Sequence, residues 1–114
     1  MENVESIVGG LITELRRGSL VLSVLSQLQT NEYGYSLVQK LEEKGAPIEA
    51  NTLYPLLRRL EKQGLLSSEW DTTENRPRKY YLLSELGKAV YQELIVEWTT
   101  MSQQIEKLIK EGTS

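Results

Sequence analysis

Ala50-Asn51-Thr52-Leu53-Tyr54-Pro55-Leu56-Leu57-Arg58-Arg59-Leu60-Glu61-Lys62-Gln63-Gly64 runs on through Leu65 to Trp70, the polar stretch Asp71 to Pro77, and Arg78-Lys79-Tyr80-Tyr81-Leu82-Leu83. This stretch decides the fold. Leu53, Leu56, Leu57 and Leu60 stand at i, i+3, i+4 and i+7, one apolar face of a helix predicted from about Asn51 to Gln63. With successive side chains turned by roughly 100°, the opposite face carries Asn51, Pro55, Arg58 and Lys62, flanked by Thr52, Tyr54 and Arg59. Gly64 stops the helix. Leu66 to Trp70 and Arg78 to Leu83 are aliphatic and aromatic runs with a polar connection, which predicts a hairpin with a long loop. A helix with an apolar back and a basic front, followed at once by a hairpin with a basic tip, is how a winged helix faces duplex DNA.

Working outward, Val4, Val8, Leu11 and Leu15 predict a first amphipathic helix, broken or bent at Arg16-Arg17-Gly18-Ser19. Leu20 to Leu28 reads as a buried helix with Val21, Val24, Leu25 and Leu28 inward, and Gln29 to Glu32 as a polar turn. Tyr35 to Lys44 is a helix with Leu37, Val38 and Leu41 inward and Gly45 at its C′ position. Ala46-Pro47-Ile48 is extended. Asn51 is placed as the N-cap of the next helix, with Pro55 at the edge of the first turn.

Beyond the hairpin, Ser84 is a plausible N-cap with Glu85 in the first turn of a helix reaching about Lys110. Its apolar positions Tyr91, Leu94, Trp98, Met101, Ile105 and Leu108 step alternately by three and four, a heptad seam. One small domain cannot cover such a seam, so it is assigned, with Leu11 and Leu15 of the first helix, to a homodimer interface. The fold class is mainly α with a small β-hairpin: a winged helix-turn-helix plus a long C-terminal dimerisation helix. Residues 1–83 form the DNA-binding segment and residues 84–114 the dimerisation helix.

The bulk numbers narrow the chemistry. The 114 residues suffice for one domain with a modest core, which association would help. There is no Cys and no His, which excludes disulfides, thiolate or imidazole metal sites and Ser-His triads. No carboxylate pair is placed by the sequence, so no enzyme, cofactor or metal is expected. No apolar run approaches the roughly 20 residues that span a bilayer. Met1 to Ser6 carries Glu2 and Glu5 and no basic residue, unlike a secretory signal. A soluble cytoplasmic protein with no membrane partner is the expectation. The net charge is −3, yet Asn51 to Tyr80 holds six basic residues against four acidic ones. A locally basic face on an acidic body suits duplex DNA.

Gly18-Ser19-Leu20-Val21-Leu22, Tyr33-Gly34-Tyr35-Ser36-Leu37, the Asn51-to-Gly64 string and Arg78-Lys79-Tyr80-Tyr81-Leu82-Leu83-Ser84-Glu85-Leu86-Gly87 together resemble the PadR-like family of bacterial transcription regulators. The likeness covers roughly Leu15 to Trp98, and the single helix after the wing resembles the family's small subgroup. Ser84 stands where Thr is usual, and Glu74-Asn75-Arg76-Pro77 replaces the usual glycine-rich wing tip. The resemblance implies a homodimeric regulator, usually a repressor, paired through its last helix. It also implies release from DNA by a small molecule or stress signal in some members.

The candidate DNA-binding residues are Tyr33, Ser36, Asn51, Thr52, Tyr54, Pro55, Arg58, Arg59, Arg76, Arg78 and Lys79. Asn51 and Thr52 sit where a recognition helix enters the major groove. There Asn51 either reads an adenine edge or only caps the helix, the second being favoured. Tyr54 either meets a phosphate or packs at the domain edge. Arg58 and Arg59 are aligned for phosphate or base contact. Arg76 is the best wing candidate, whereas Arg78 and Lys79 alternate faces, so one of them points away from DNA. Ser36 lies at a helix N-terminus open to a phosphate. Trp98 is read as a dimer anchor; its other reading is a cavity wall that stacks a small aromatic effector. Trp70 is read as core. The expected partner is double-stranded DNA carrying an inverted repeat, its half-sites about one turn (roughly 10 bp) apart. The competing reading is a winged helix that serves as a protein-interaction module without DNA binding.

Overall fold

A computed structural model describes residues 3–113. Met1, Glu2 and Ser114, at the outer ends of the two segments read from the sequence, lie outside the described residues. The chain forms α1 (Val4–Arg17), α2 (Leu20–Ser26), β1 (Glu32–Tyr33), α3 (Gly34–Glu43), α4 (Ala50–Lys62), β2 (Leu66–Asp71), β3 (Arg78–Leu83) and α5 (Glu85–Thr113). It is a winged helix with a long terminal helix.

The core is built by the faces that the leucine spacing predicts. Leu53, Leu56, Leu57 and Leu60 of α4 are all buried, together with Val24, Leu25, Leu28, Leu37, Leu41 and, from the strands, Leu66, Tyr81 and Leu83. Both α3 and α4 end in the same way. Gly45 and Gly64 each have φ of 84°, a left-handed conformation that costs glycine little. The Ala46 N–H donates to the Leu41 carbonyl and the Leu65 N–H to the Leu60 carbonyl, closing two Schellman motifs. The Ser84 hydroxyl oxygen accepts from the Gly87 N–H at 2.9 Å, and its O–H donates to the Gly64 carbonyl at 2.6 Å. One side chain thus caps α5 and fastens it to the end of α4. A Cβ at Gly87 would run into the Leu65 carbonyl oxygen, so α5 needs glycine there to leave the sheet at this angle.

Four sequence readings need correction. First, α4 begins at Ala50, and Glu49, not Asn51, is its N-cap residue. Pro47 keeps the approach extended, and the Glu49 carbonyl accepts from the Leu53 N–H at 2.9 Å, which starts the helix two residues earlier. Asn51 is therefore inside the first turn. Pro55 is the sixth helical residue, and its missing N–H leaves the Asn51 carbonyl without its i+4 donor.

Second, Glu32 belongs to a strand. β1 pairs antiparallel with β3, Glu32 opposite Tyr81 and Tyr33 opposite Tyr80, making a sheet in the order β1-β3-β2. Two residues are too few to show alternation, and a buried carboxylate looks like a turn residue in sequence. It is tolerated because the Lys40 ammonium pairs with it.

Third, Trp70 is not core: it is 63% exposed at the far end of β2, where the strand has run past the helices beneath it. Fourth, the heptad seam divides. Tyr91 and Leu94 pack against the protomer's own core, whereas Trp98, Met101, Ile105 and Leu108 are exposed.

The arms give the molecule its shape. The radius of gyration is 17.2 Å, against about 13 Å for a globule of this length. No residue of α1 is buried, and Val4, Ile7, Val8, Leu11, Ile12 and Leu15 line up on one exposed side of it.

Candidate nucleic-acid interface

The apolar face of α4 is fixed inward, so its other face is fixed outward. Asn51, Thr52, Tyr54, Pro55, Arg58, Arg59 and Lys62 are exposed. Arg58, Arg59 and Lys62 form no ion pair among the described residues, so these cations face solvent uncompensated. Tyr54 lies against α3: a Cβ on Gly34 would stand 2.5 Å from its Cε1. Gly34 is thus what allows the Tyr54 ring to close over the start of α3, beside half-buried Ser36.

The wing is fastened at its base by polar contacts. The Tyr33 hydroxyl donates to Asp71 Oδ2 at 2.7 Å, and Asp71 Oδ1 accepts from both the backbone N–H and the hydroxyl of Thr73. The Thr73 hydroxyl, helped by Tyr33, holds the Asp71 carboxyl down at about 2. The bond to Asp71 raises the Tyr33 phenol above its ordinary value. The Arg78 guanidinium sits 5.5 Å from the centroid of the Tyr33 ring and 3.4 Å from Glu74. Tyr33 is therefore a brace between β1 and the wing, with its hydroxyl already engaged.

Arg78 and Lys79 do take opposite faces. Lys79 shares the face of Tyr81 and Leu83, and its ammonium lies 3.1 Å from Glu61 Oε1 and 5.4 Å from the Tyr81 ring centroid. Glu61 also accepts from the Ser68 hydroxyl, and that bond, with Lys79, lowers its carboxyl. Glu61 thus ties the end of α4 to both wing strands. Arg76, near the tip, is exposed and forms no ion pair among the described residues.

These elements enclose an open groove of about 600 Å³ between α3, α4 and the wing. Tyr33, Ser36, Tyr54, Arg76, Arg78 and Lys79 border it, as do Tyr35 and Trp70, which the sequence reading left out. Asn51, Thr52, Pro55, Arg58 and Arg59 lie along α4 outside it; Thr52, Pro55 and Arg59 line a second hollow with Arg17 and Leu20. The missed signal for Trp70 is register. Leu66, Ser68 and Trp70 alternate onto one side of β2, opposite Leu83, Tyr81 and Lys79, and the series simply continues beyond the core. Of the interface candidates, Leu11, Leu15, Trp98, Met101, Ile105 and Leu108 are exposed, with Trp98 at 53%. Among the described residues no cluster of acidic groups is arranged to hold a metal, and no helix is long and apolar enough to cross a membrane.

The Transcriptional regulator PadR-like family matches residues 21–93. The transcriptional regulator Rv3488 of Mycobacterium tuberculosis (strain ATCC 25618 / H37Rv) is 37% identical over 81 residues, spanning 70% of this chain and 76% of that protein. Among solved structures, a PadR family transcriptional regulator from Eggerthella lenta superposes with a TM-score of 0.89 at 51% identity, covering 92% of this chain and 94% of that one. Bacillus subtilis PadR, whose crystal structure is a complex with operator DNA, has a TM-score of 0.62 at 19% identity, covering 66% of this chain and 44% of that one, and shares the fold. Members of the family are transcriptional regulators and not enzymes, and on the extent of these matches the chain belongs to the PadR-like family of transcriptional regulators.

Proposed function

We propose that this regulator acts as a homodimer on duplex DNA, as a repressor at an inverted-repeat operator, in the cytoplasm. The observation that carries the DNA reading is the set of cations Arg58, Arg59 and Arg76, which have no ion-pair partner among the described residues. They stand on α4 and the wing of a chain whose net charge is −3. Asn51 and Thr52, in the first turn of α4, are at the end that enters a major groove, and the arginines further along are suited to phosphates. The operator complex of Bacillus subtilis PadR, which has the same fold, supports the same use of it here.

The dimer reading rests on the exposed apolar sides of α1 and α5. A second copy covers Leu11, Leu15, Trp98, Met101, Ile105 and Leu108, while Tyr91 and Leu94 anchor α5 to its own protomer. Such a pairing sets the spacing of two recognition helices, and with it the operator's symmetry. Trp98, in the middle of that surface, is also the candidate for stacking a small planar aromatic effector that releases the DNA.

The test is a mobility shift on the promoter region of the protein's own gene, over a range of salt. Retardation that weakens steeply as salt rises supports the proposal. Absence of any shift at low salt overturns it.

A further inference from the structure

The exposed large hydrophobic side chains of the described residues fall into two groups. One lies on α1 and α5. The other is Tyr35, Tyr54 and Trp70, and all three border the groove between α4 and the wing. Trp70 is the most solvent-open of the aromatic side chains around that groove apart from Tyr35, at 63% and 69% respectively. It sits directly across the ladder from Lys79, on the groove side of the sheet. Arg76 and Arg78 flank the same groove, and no carboxylate borders it, although acidic residues outnumber basic ones in the chain by sixteen to thirteen. An exposed indole near Arg76, which has no ion-pair partner among the described residues, in a lining whose other cations Arg78 and Lys79 are already paired with Glu74 and Glu61, fits a partner that is anionic yet has apolar surface of its own. A nucleic-acid backbone has this character: phosphates alternate with the hydrocarbon faces of deoxyribose.

We propose that Trp70 is a DNA-contacting residue of the wing. Its ring packs against deoxyribose beside the groove that the wing follows, and its indole N–H donates to a phosphate oxygen, while Arg76 neutralises the neighbouring phosphate. This rests on the DNA-binding reading above and adds to it an apolar contact that charge alone does not supply. Apolar packing and an N–H bond are insensitive to counterion release. Trp70 therefore contributes affinity that persists when salt has weakened the arginine contacts.

The chain has two tryptophans, so 5-fluorotryptophan labelling gives two fluorine resonances, and Trp70→Phe assigns them. The probe is a mixed-sequence duplex of about 30 bp at low salt, which requires only the sequence-independent part of binding. The expected result is a shift of the Trp70 resonance on adding duplex. Binding should be about tenfold weaker in Trp70→Ala and much less affected in Trp70→Phe, with the salt slope unchanged in both, as for a stacking contact. If wild type binds the duplex while the Trp70 resonance stays still and Trp70→Ala binds equally well, the Trp70 proposal is overturned and the DNA reading stands. If wild type itself does not bind, both fall. If Trp70→Ala instead changes the sedimentation coefficient, Trp70 belongs to a contact between copies and the proposal is overturned. Should Trp70→Ala fail to fold, the resonance shift in wild type decides alone.

Discussion

α4 and α5 are both amphipathic helices, and both were legible from the spacing of their apolar residues. They differ in where the apolar side goes. Every leucine of the α4 stripe is buried by its own protomer; Leu57 is completely inaccessible. On α5 only Tyr91 and Leu94 reach the protomer's core, and from Trp98 onward the stripe faces outward, with Ile105 at 52% exposure. The same pattern thus means closure in one case and an unfilled requirement in the other. What separates them is whether a chain of this size has other surface within reach. α4 lies under the sheet between α3 and β2, while α5 runs on for about 43 Å at the α-helical rise and leaves its body behind.

The largest effect expected from breaking this contrast is at Leu57. Leu57→Ala opens a cavity beneath a fully buried position and should cost about 3 kcal/mol of folding stability, within a range of roughly 2 to 5. Urea denaturation followed by circular dichroism measures it. The same truncation at Ile105 should leave the stability of the winged-helix body nearly unchanged. Equal losses at the two sites would remove the distinction between the helices.

Next comes the surface that α5 leaves open. Ile105→Glu puts a charge on the exposed stripe, where a second copy would have to desolvate it. Self-association should weaken about a hundredfold, equivalent to roughly 2.7 kcal/mol. Sedimentation velocity over a concentration series reads this directly. On the proposed dimer, DNA affinity should fall in parallel, because one α4 would then bind without its mate. A variant that sediments as wild type would assign the stripe to something other than a second copy.

What sequence alone conveyed divides along the same line. Periodicity located every helix, since burial of a stripe is a local property of 3.6-residue spacing. It missed β1, because two residues carry no period and Glu32 is buried only through Lys40, which lies eight residues away on another element. It placed Asn51 at a cap by residue type, although Pro47 and the Glu49 carbonyl had already set the start of α4. At the candidate site, the outward direction of Arg58 and Arg59 was readable because it is the complement of the leucine face. The engagement of Lys79 by Glu61 and of Tyr33 by Asp71 was not, since each bond joins residues far apart in sequence. Trp70 was misassigned for the converse reason: strand alternation gives the side of the sheet and says nothing of where the core beneath it ends.

A smaller effect is expected on the outer face of α4 and the wing, where charges are solvated and contacts are individually modest. Arg58→Ala and Arg76→Ala should each weaken duplex binding about tenfold, near 1.4 kcal/mol. Each should also lower the slope of log affinity against log salt by about one, as for loss of a phosphate contact. Neither should alter the urea midpoint, because neither side chain has an ion-pair partner among the described residues to lose. If neither affinity nor slope changes, the assignment of these two arginines to phosphates is wrong.

The smallest effect belongs to the polar brace at the base of the wing, where Tyr33 and Asp71 are only half-buried and Thr73 is exposed. Asp71 accepts from Thr73 and Tyr33, and its carboxyl is held at about 2, below its ordinary 3.8. A depressed carboxyl stabilises the fold above its unfolded value and loses that contribution as pH falls through the folded one. The brace is therefore fully present at pH 7, weakens below about pH 4, and is gone near pH 2. Asp71→Asn should lower the melting temperature slightly at pH 7, and the gap from wild type should close as the pH approaches 2. Tyr33 gives an independent readout at the alkaline end. Its phenol is raised from 10.0 chiefly by donating to Asp71. With the carboxylate replaced by an amide, phenolate absorbance near 295 nm should appear at lower pH in the variant than in wild type. No melting gap at pH 7, with an unmoved phenol titration, would mean that the wing is held to β1 by ladder hydrogen bonds alone. Its base would then depend, like α4, on contacts that the protomer closes for itself.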